Sequence, residues 1–169
     1  MTTQAELSAD WRGLAKLDDE EQIAAICERL NELASHSESR LATEVEELLM
    51  AEIDLEDHEM ERLTRSRLRA WLQIAPEAAG RFAIATEGAR ETLAGPSAMR
   101  STMAVQGAVR NLERKEVVQL LEVAPPIRRA ISEEFLEVLT AEFHLGEAEP
   151  SADAAPERIR IHKPWWRFW

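Results

Sequence analysis

The stretch DLEDHEME, residues 54–61, gathers metal-ligating side chains, with Asp54, Asp57 and His58 close enough in sequence to share a divalent ion. Helical carboxylate-bridged metal centres need Glu-x-x-His on an inward face, so that both side chains reach one ion. That spacing fails at every histidine, because Leu33, Leu55, Ala141 and Ile159 stand three residues before His36, His58, His144 and His162. The stretch is therefore read as a solvated helix start, where the helix dipole favours acids. The single cysteine, Cys27 in AAICERL, lies beside an apolar stripe with no histidine or basic pair to lower its pKa, and reads as a structural thiol. One cysteine also excludes an intramolecular disulfide and a Cys/His zinc cluster. No Gly-x-Ser-x-Gly, His-Glu-x-x-His or glycine-rich phosphate loop occurs. No catalytic residue, metal or cofactor is assigned.

Three further groups are of the types that bind. Arg62, Arg65 and Arg69 share a helical face suited to an anion, but Glu61 stands four residues before Arg65, the spacing of an ordinary surface ion pair. Met99 and Met103 sit among Ala and Gly, the composition of an adaptable apolar groove; core packing is the preferred reading. The third group is the terminal RIRIHKPWWRFW, which sets Trp165, Trp166, Phe168 and Trp169 beside Arg158, Arg160, Lys163 and Arg167, with Ile159 and Ile161 alternating with the first two arginines.

Charge sets this terminal stretch apart. The whole chain carries −12, while Arg158, Arg160, Lys163 and Arg167 contribute +4 with no acid after Glu157, leaving −16 on residues 1–157. An acidic body repels phosphate, so nucleic acid is not an expected partner. Indole rings favour the headgroup interface, and each cation near anionic lipid adds about 1 kcal/mol, giving a weak, reversible surface contact. Trp and Arg also dominate the energetics of protein interfaces, and the Arg-Ile-Arg-Ile alternation suits addition to a sheet edge. The tail resembles basic, tryptophan-rich interfacial peptides, which implies attachment to a surface and nothing more specific. Docking on the chain's own acidic body or on a sister subunit is the third possibility.

The elements that must carry these groups read as helix throughout. With 169 residues, 45% apolar and 31% charged, the chain is long enough to bury a core in one domain. Asp18 with Glu21 forms a capping-box start, followed by Ile23, Ile26, Leu30 and Leu33 at helical spacing. Ser35 with Glu38 reads as a second such start, before Leu41, Val45, Leu48 and Leu49. A third stripe, Met60, Leu63, Leu68, Trp71 and Leu72, ends before Pro76. A small-residue helix from Pro76 to Ala94 follows; Gly80 and Gly88 inside it predict close approach by a second backbone. Gly95 and Pro96 read as a stop. A long helix is predicted from about Ser97 to Val123, and a last one carries Ile127, Ile131, Phe135, Val138 and Leu139 on one face and closes at Gly146. WLQIAPEAAGRFA and LLEVAPPIRRAIS echo each other 49 residues apart and read as two ordinary helix-proline-helix corners rather than a duplication.

The fold expectation is thus all-α: five to six amphipathic helices, as a compact bundle or helical-hairpin array, over residues 1–146. An acidic linker at 147–157, EAEPSADAAPE, and a docking tail at 158–169 follow. The functional expectation is a non-catalytic adaptor, scaffold or accessory subunit that attaches through its tail to a partner protein or a membrane surface. A helical chaperone or assembly factor acting through residues 76–123 is the alternative, and a helical metal-site enzyme near His58 the third. Another protein is the expected partner, with peripheral membrane contact and homo-oligomerisation open. Without a signal peptide or a bilayer-length apolar run, the expected location is the cytoplasm, peripheral to the membrane where the tail binds lipid.

Overall fold

A computed structural model describes residues 10–143; the linker, the docking tail and all ten tail residues assigned to attachment lie outside that range. The described residues are all-helical, without a strand, and the helices pack together around one apolar core. In chain order they form α1 (Trp11–Leu14), α2 (Asp19–Leu33), α3 (Glu38–Ile53), α4 (Asp57–Trp71), α5 (Pro76–Thr92), α6 (Gly95–Arg110) and α7 (Arg114–Val123). A 3-10 helix (Pro125–Ala130) and α8 (Glu133–Phe143) complete them. None of these helices is long and apolar enough to cross a membrane.

One period governs the boundaries. Helices α2 to α8 begin at residues 19, 38, 57, 76, 95, 114 and 133, so every start falls 19 residues after the last. The same two positions recur around each start. The residue just before the N-cap is Leu17, Leu55, Ile74, Leu93, Leu112 or Ile131, with His36 as the exception, and the fourth helical residue includes buried Leu41, Met60, Ala79 and Val117. This is the spacing of the hydrophobic staple, which fixes the angle at which a chain enters a helix. Packing follows the period too. The broadest contacts join helices two places apart, α2 with α4, α3 with α5 and α4 with α6, while sequential neighbours touch far less. Each unit is therefore one helix and one turn, and units stack in two alternating rows. The 49-residue echo is not the repeat of this chain.

Local chemistry explains where the boundaries fall. Asp18 accepts from the Glu21 amide at 2.9 Å, and Glu21 accepts from the Asp18 amide at 3.4 Å, the predicted capping box. The second predicted cap is displaced: α3 starts after Ser37, and Ser35 Oγ instead donates to the Glu32 carbonyl at 2.9 Å, closing the preceding helix. The helix before Gly95 and Pro96 does end, at Thr92, but the pair itself belongs to the first turn of the next helix. Proline needs no amide partner in the first turn, where that donor would be orphaned in any case. The long helix predicted over residues 97–123 is two helices, because Asn111 ends α6 and Glu113 restarts the chain in a capping box with Glu116. These breaks give seven α-helices of ten residues or more among the described residues, rather than five or six. Pro125 and Pro126 cut α7 to 10 residues and bend the chain into the 3-10 turn, so Ile127 and Ile131 precede α8 instead of sharing its face. Of the two close approaches predicted, Gly80 has a second backbone beside it, since a Cβ there would stand 3.4 Å from the Val123 carbonyl, at van der Waals contact, whereas Gly88 faces open space. Gly107 is the tight position, since a Cβ there would stand 2.7 Å from Glu61 Cδ.

Candidate functional site

Arginine at the sixth position of a helix is the most regular feature of the polar chemistry. Arg62, Arg81 and Arg100 are sixth in α4, α5 and α6, 19 residues apart. Arg81 donates from Nη1 to the Ala34 carbonyl at 2.8 Å and from Nη2 to the His36 carbonyl at 3.2 Å, and its Nε reaches Glu38 at 3.0 Å. Arg100 repeats this on the Ile53 carbonyl at 2.7 Å, the Leu55 carbonyl at 2.9 Å and Asp57 at 2.6 Å. Arg62 does so on the Ala15 carbonyl, on the Leu17 carbonyl at 3.2 Å, and on Asp19 at 3.8 Å. Each guanidinium thus holds the orphan carbonyls at a helix's C-terminal end and the acid that starts the next helix, two helices back along the chain. The five donors of arginine in a planar fork suit this triple contact, which the point charge of lysine does not.

The arginine face read from the sequence is consumed by this scheme. Arg65 pairs with Asp19 at 3.0 Å, not with Glu61, and Arg69 reaches Glu116 at 3.2 Å. Glu61 instead accepts from Asn111 Nδ2 at 2.8 Å. The candidate ligands near His58 are similarly engaged: Asp54 pairs with Arg12 and Asp57 with Arg100, while His58 is exposed. Among the described residues no three His, Cys, Asp or Glu side chains stand together as a metal site. Cys27 is half-buried, with its thiol 3.7 Å from the Ala70 carbonyl and 3.8 Å from Gln73 Oε1; burial pushes its pKa above the ordinary thiol value.

A buried ion pair lies in the core. Arg67, 1% exposed, donates from Nε and Nη2 to the two oxygens of Glu52, 2% exposed, at 2.8 and 3.1 Å. Its guanidinium stacks over Trp71 at 5.1 Å, and beside it Arg90 binds Glu87 at 2.6 Å. Burial lowers the pKa of Arg90 from its ordinary value, opposed by the Glu87 carboxylate. Arg67, Trp71, Glu87 and Arg90 line a cavity of about 10 Å³, the space of about one water. At the amino-terminal end an open hollow of about 460 Å³ lies between Trp11, Arg29, Glu47 and Met50, with Arg29 stacked 4.0 Å over Trp11. Arg29 also holds Glu44 at 3.0 Å.

The two methionines are placed where core packing does not put them. Met99 is 60% exposed and Met103 63%, so the core reading is corrected; Ile84 on α5 is likewise 59% exposed. Sequence reasoning missed Arg81, Arg100 and the pair of Glu52 with Arg67. The signal for the first two was the 19-residue interval from Arg62; the buried pair left none, since its residues sit on different helices. Comparison with known protein families, with curated proteins and with solved structures found no match for this chain.

Proposed function

We infer that this protein is a non-catalytic adaptor or accessory subunit, a short helical array that binds through its surfaces and fastens to a partner protein or a membrane surface through residues 158–169. The observation that carries the reading is the 19-residue register. Stacked single-helix units give an extended, open surface rather than an enclosed pocket, and arrays of this kind act by holding other macromolecules. Ion pairs that join units also take up the side chains that would otherwise form a reactive cluster. The reversal from −16 to +4 at Glu157, with three tryptophans in the last five residues, supplies the second contact. The acidic linker at 147–157 sets the reach between the two. In the cytoplasm such a chain sits at the membrane surface where the tail binds lipid.

A chain ending at Glu157 tests the reading. It keeps the thermal unfolding of the full-length protein, yet loses co-sedimentation with anionic vesicles or co-purification with a partner. Unchanged behaviour in both assays refutes attachment through the tail. A second reading, an assembly factor that grips a client through residues 76–123, is favoured by exposed Ile84, Met99 and Met103 in that segment. It requires the native monomer to bind an apolar dye at those residues.

A further inference from the structure

The register gives every helix a forward side, toward the helix two places on, and a backward side. Cys27, ninth in α2, reaches forward to the Ala70 carbonyl and to Gln73, at the end of the α4 unit. Glu61, fifth in α4, reaches forward onto Asn111 and lies over Gly107, at the end of the α6 unit. Position five therefore faces forward, and position nine stands one turn on along the same stripe, although the long Arg65 at that position of α4 swings back to Asp19 at 3.0 Å. The sixth and tenth face back, as Arg62 on the Leu17 carbonyl and Ser66 on Gln22 at 2.8 Å show.

The two ends of this row differ. At the start, the backward positions of α2 are Ala24 and Glu28, both exposed, which suits a terminal unit meeting water. At the far end, the forward positions of α6 are Met99 and Met103. Helix α8 is the unit that ought to stack there, but the proline bend after α7 carries it away: α8 makes no broad contact with α6 and is tied to α7 through Arg114 and Glu142. Among the described residues the row thus ends in the exposed apolar stripe of Met99 and Met103.

The geometry points to a second copy of this chain as the occupant, with the two α6 helices packed antiparallel so that Met99 of one protomer meets the partner's Met103. Such a contact is isologous, the arrangement that gives the commonest closed oligomer, and methionine adapts to it readily. Charge selects this occupant over an unrelated helix. Arg110, exposed and without an ion pair among the described residues, lies about 13 Å along the axis from residue 101, midway between Met99 and Met103, by the rise of about 1.5 Å per residue. Antiparallel pairing carries it just past the start of the partner's α6, to the last turn of the partner's α5. There Glu91 is 68% exposed, held among the described residues by a 3.6 Å contact with Arg129. One helix brings the arginine at one end and follows the acid at the other, so the two-fold axis forms the pair twice. The dimer carries two carboxyl-terminal tails, and two weak contacts on one particle bind with avidity. The dimer itself does not depend on what the tails bind.

Sedimentation equilibrium of the full chain tests this. It shows a monomer and dimer in exchange at micromolar concentration. Met99→Glu combined with Met103→Glu weakens dimerisation at least tenfold while leaving the circular dichroism and thermal midpoint of the monomer unchanged, both side chains being exposed. Arg110→Glu also weakens it, and adding Glu91→Arg to that variant restores it, a rescue that a general loss of stability does not produce. A chain monomeric throughout the micromolar range, a dimer indifferent to the methionine substitutions, or the absence of charge-swap rescue overturns the proposal.

Discussion

Replacing Arg81 by methionine keeps most of its apolar stem and removes only the charged head, which isolates the contact between units. The head makes two hydrogen bonds to main-chain carbonyls, at 2.8 and 3.2 Å, and one contact with Glu38, whose side chain is 78% exposed. A hydrogen bond to a charged group is worth about 1.5 to 3 kcal/mol when well shielded; with the Arg81 side chain 34% exposed, about 1 kcal/mol each is the appropriate figure. The exposed ion pair adds at most about 0.5 kcal/mol. Arg81→Met should therefore cost about 2 to 2.5 kcal/mol, a fall of about 1 M in the urea midpoint at the usual slope for a small domain. Glu38→Ala should cost less than about 1 kcal/mol, because it leaves both carbonyl contacts in place. Urea unfolding followed by tryptophan fluorescence and circular dichroism reads both variants. A loss below about 0.5 kcal/mol for Arg81→Met, or equal losses for the two, would refute the idea that carbonyl capping ties the units together.

The same reasoning extends to three other sites. Gln119 occupies the sixth position of α7, where the repeat places arginine, so Gln119→Arg should cap the Leu72 and Ile74 carbonyls and raise stability by about 1 kcal/mol in urea unfolding; a neutral or destabilising result counts against the register. Glu52→Ala strands the Arg67 charge in the core and should cost about 3 to 5 kcal/mol, while Glu52→Leu with Arg67→Met recovers most of the loss; thermal unfolding distinguishes the two. Cys27 has its pKa raised by burial, so folding favours the neutral thiol. That contribution is complete below the unfolded thiol's pKa and is lost as pH rises through the folded one. Alkylation of the native protein should accordingly still be accelerating above the ordinary thiol range, and a midpoint at or below that range would contradict the burial.

The helical class was legible because the apolar stripes and the Asp18 capping box state it directly. The repeat was not, although it spaces every start. Its units share physical roles rather than residues: the first position is Asp19, Glu38 and Asp57, then Pro76 and Gly95, and the sixth is Ala24 and Thr43 before the three arginines. Any acid or first-turn proline can open a helix, so the register holds while identity vanishes. The break at residue 111 is hidden in the sequence because Glu113 caps through a carboxylate where Ser or Thr is usual. The stripe that holds Met99 and Met103 reads as core in the sequence because a helical period reports which side is apolar, not whether a neighbour arrives to cover it. That depended on Pro125 and Pro126, some twenty residues further on. The tail belongs to the sequence alone, where composition and charge describe what it can grip without naming the surface.

Fusing residues 147–169 to an unrelated soluble carrier tests the central claim most directly. The account predicts that the carrier gains the same vesicle or partner binding that it predicts for the full-length protein, and that exchanging Trp165, Trp166 and Trp169 for alanine abolishes it. A carrier that stays unbound while the full-length protein binds would place the attachment elsewhere in the chain and contradict the account.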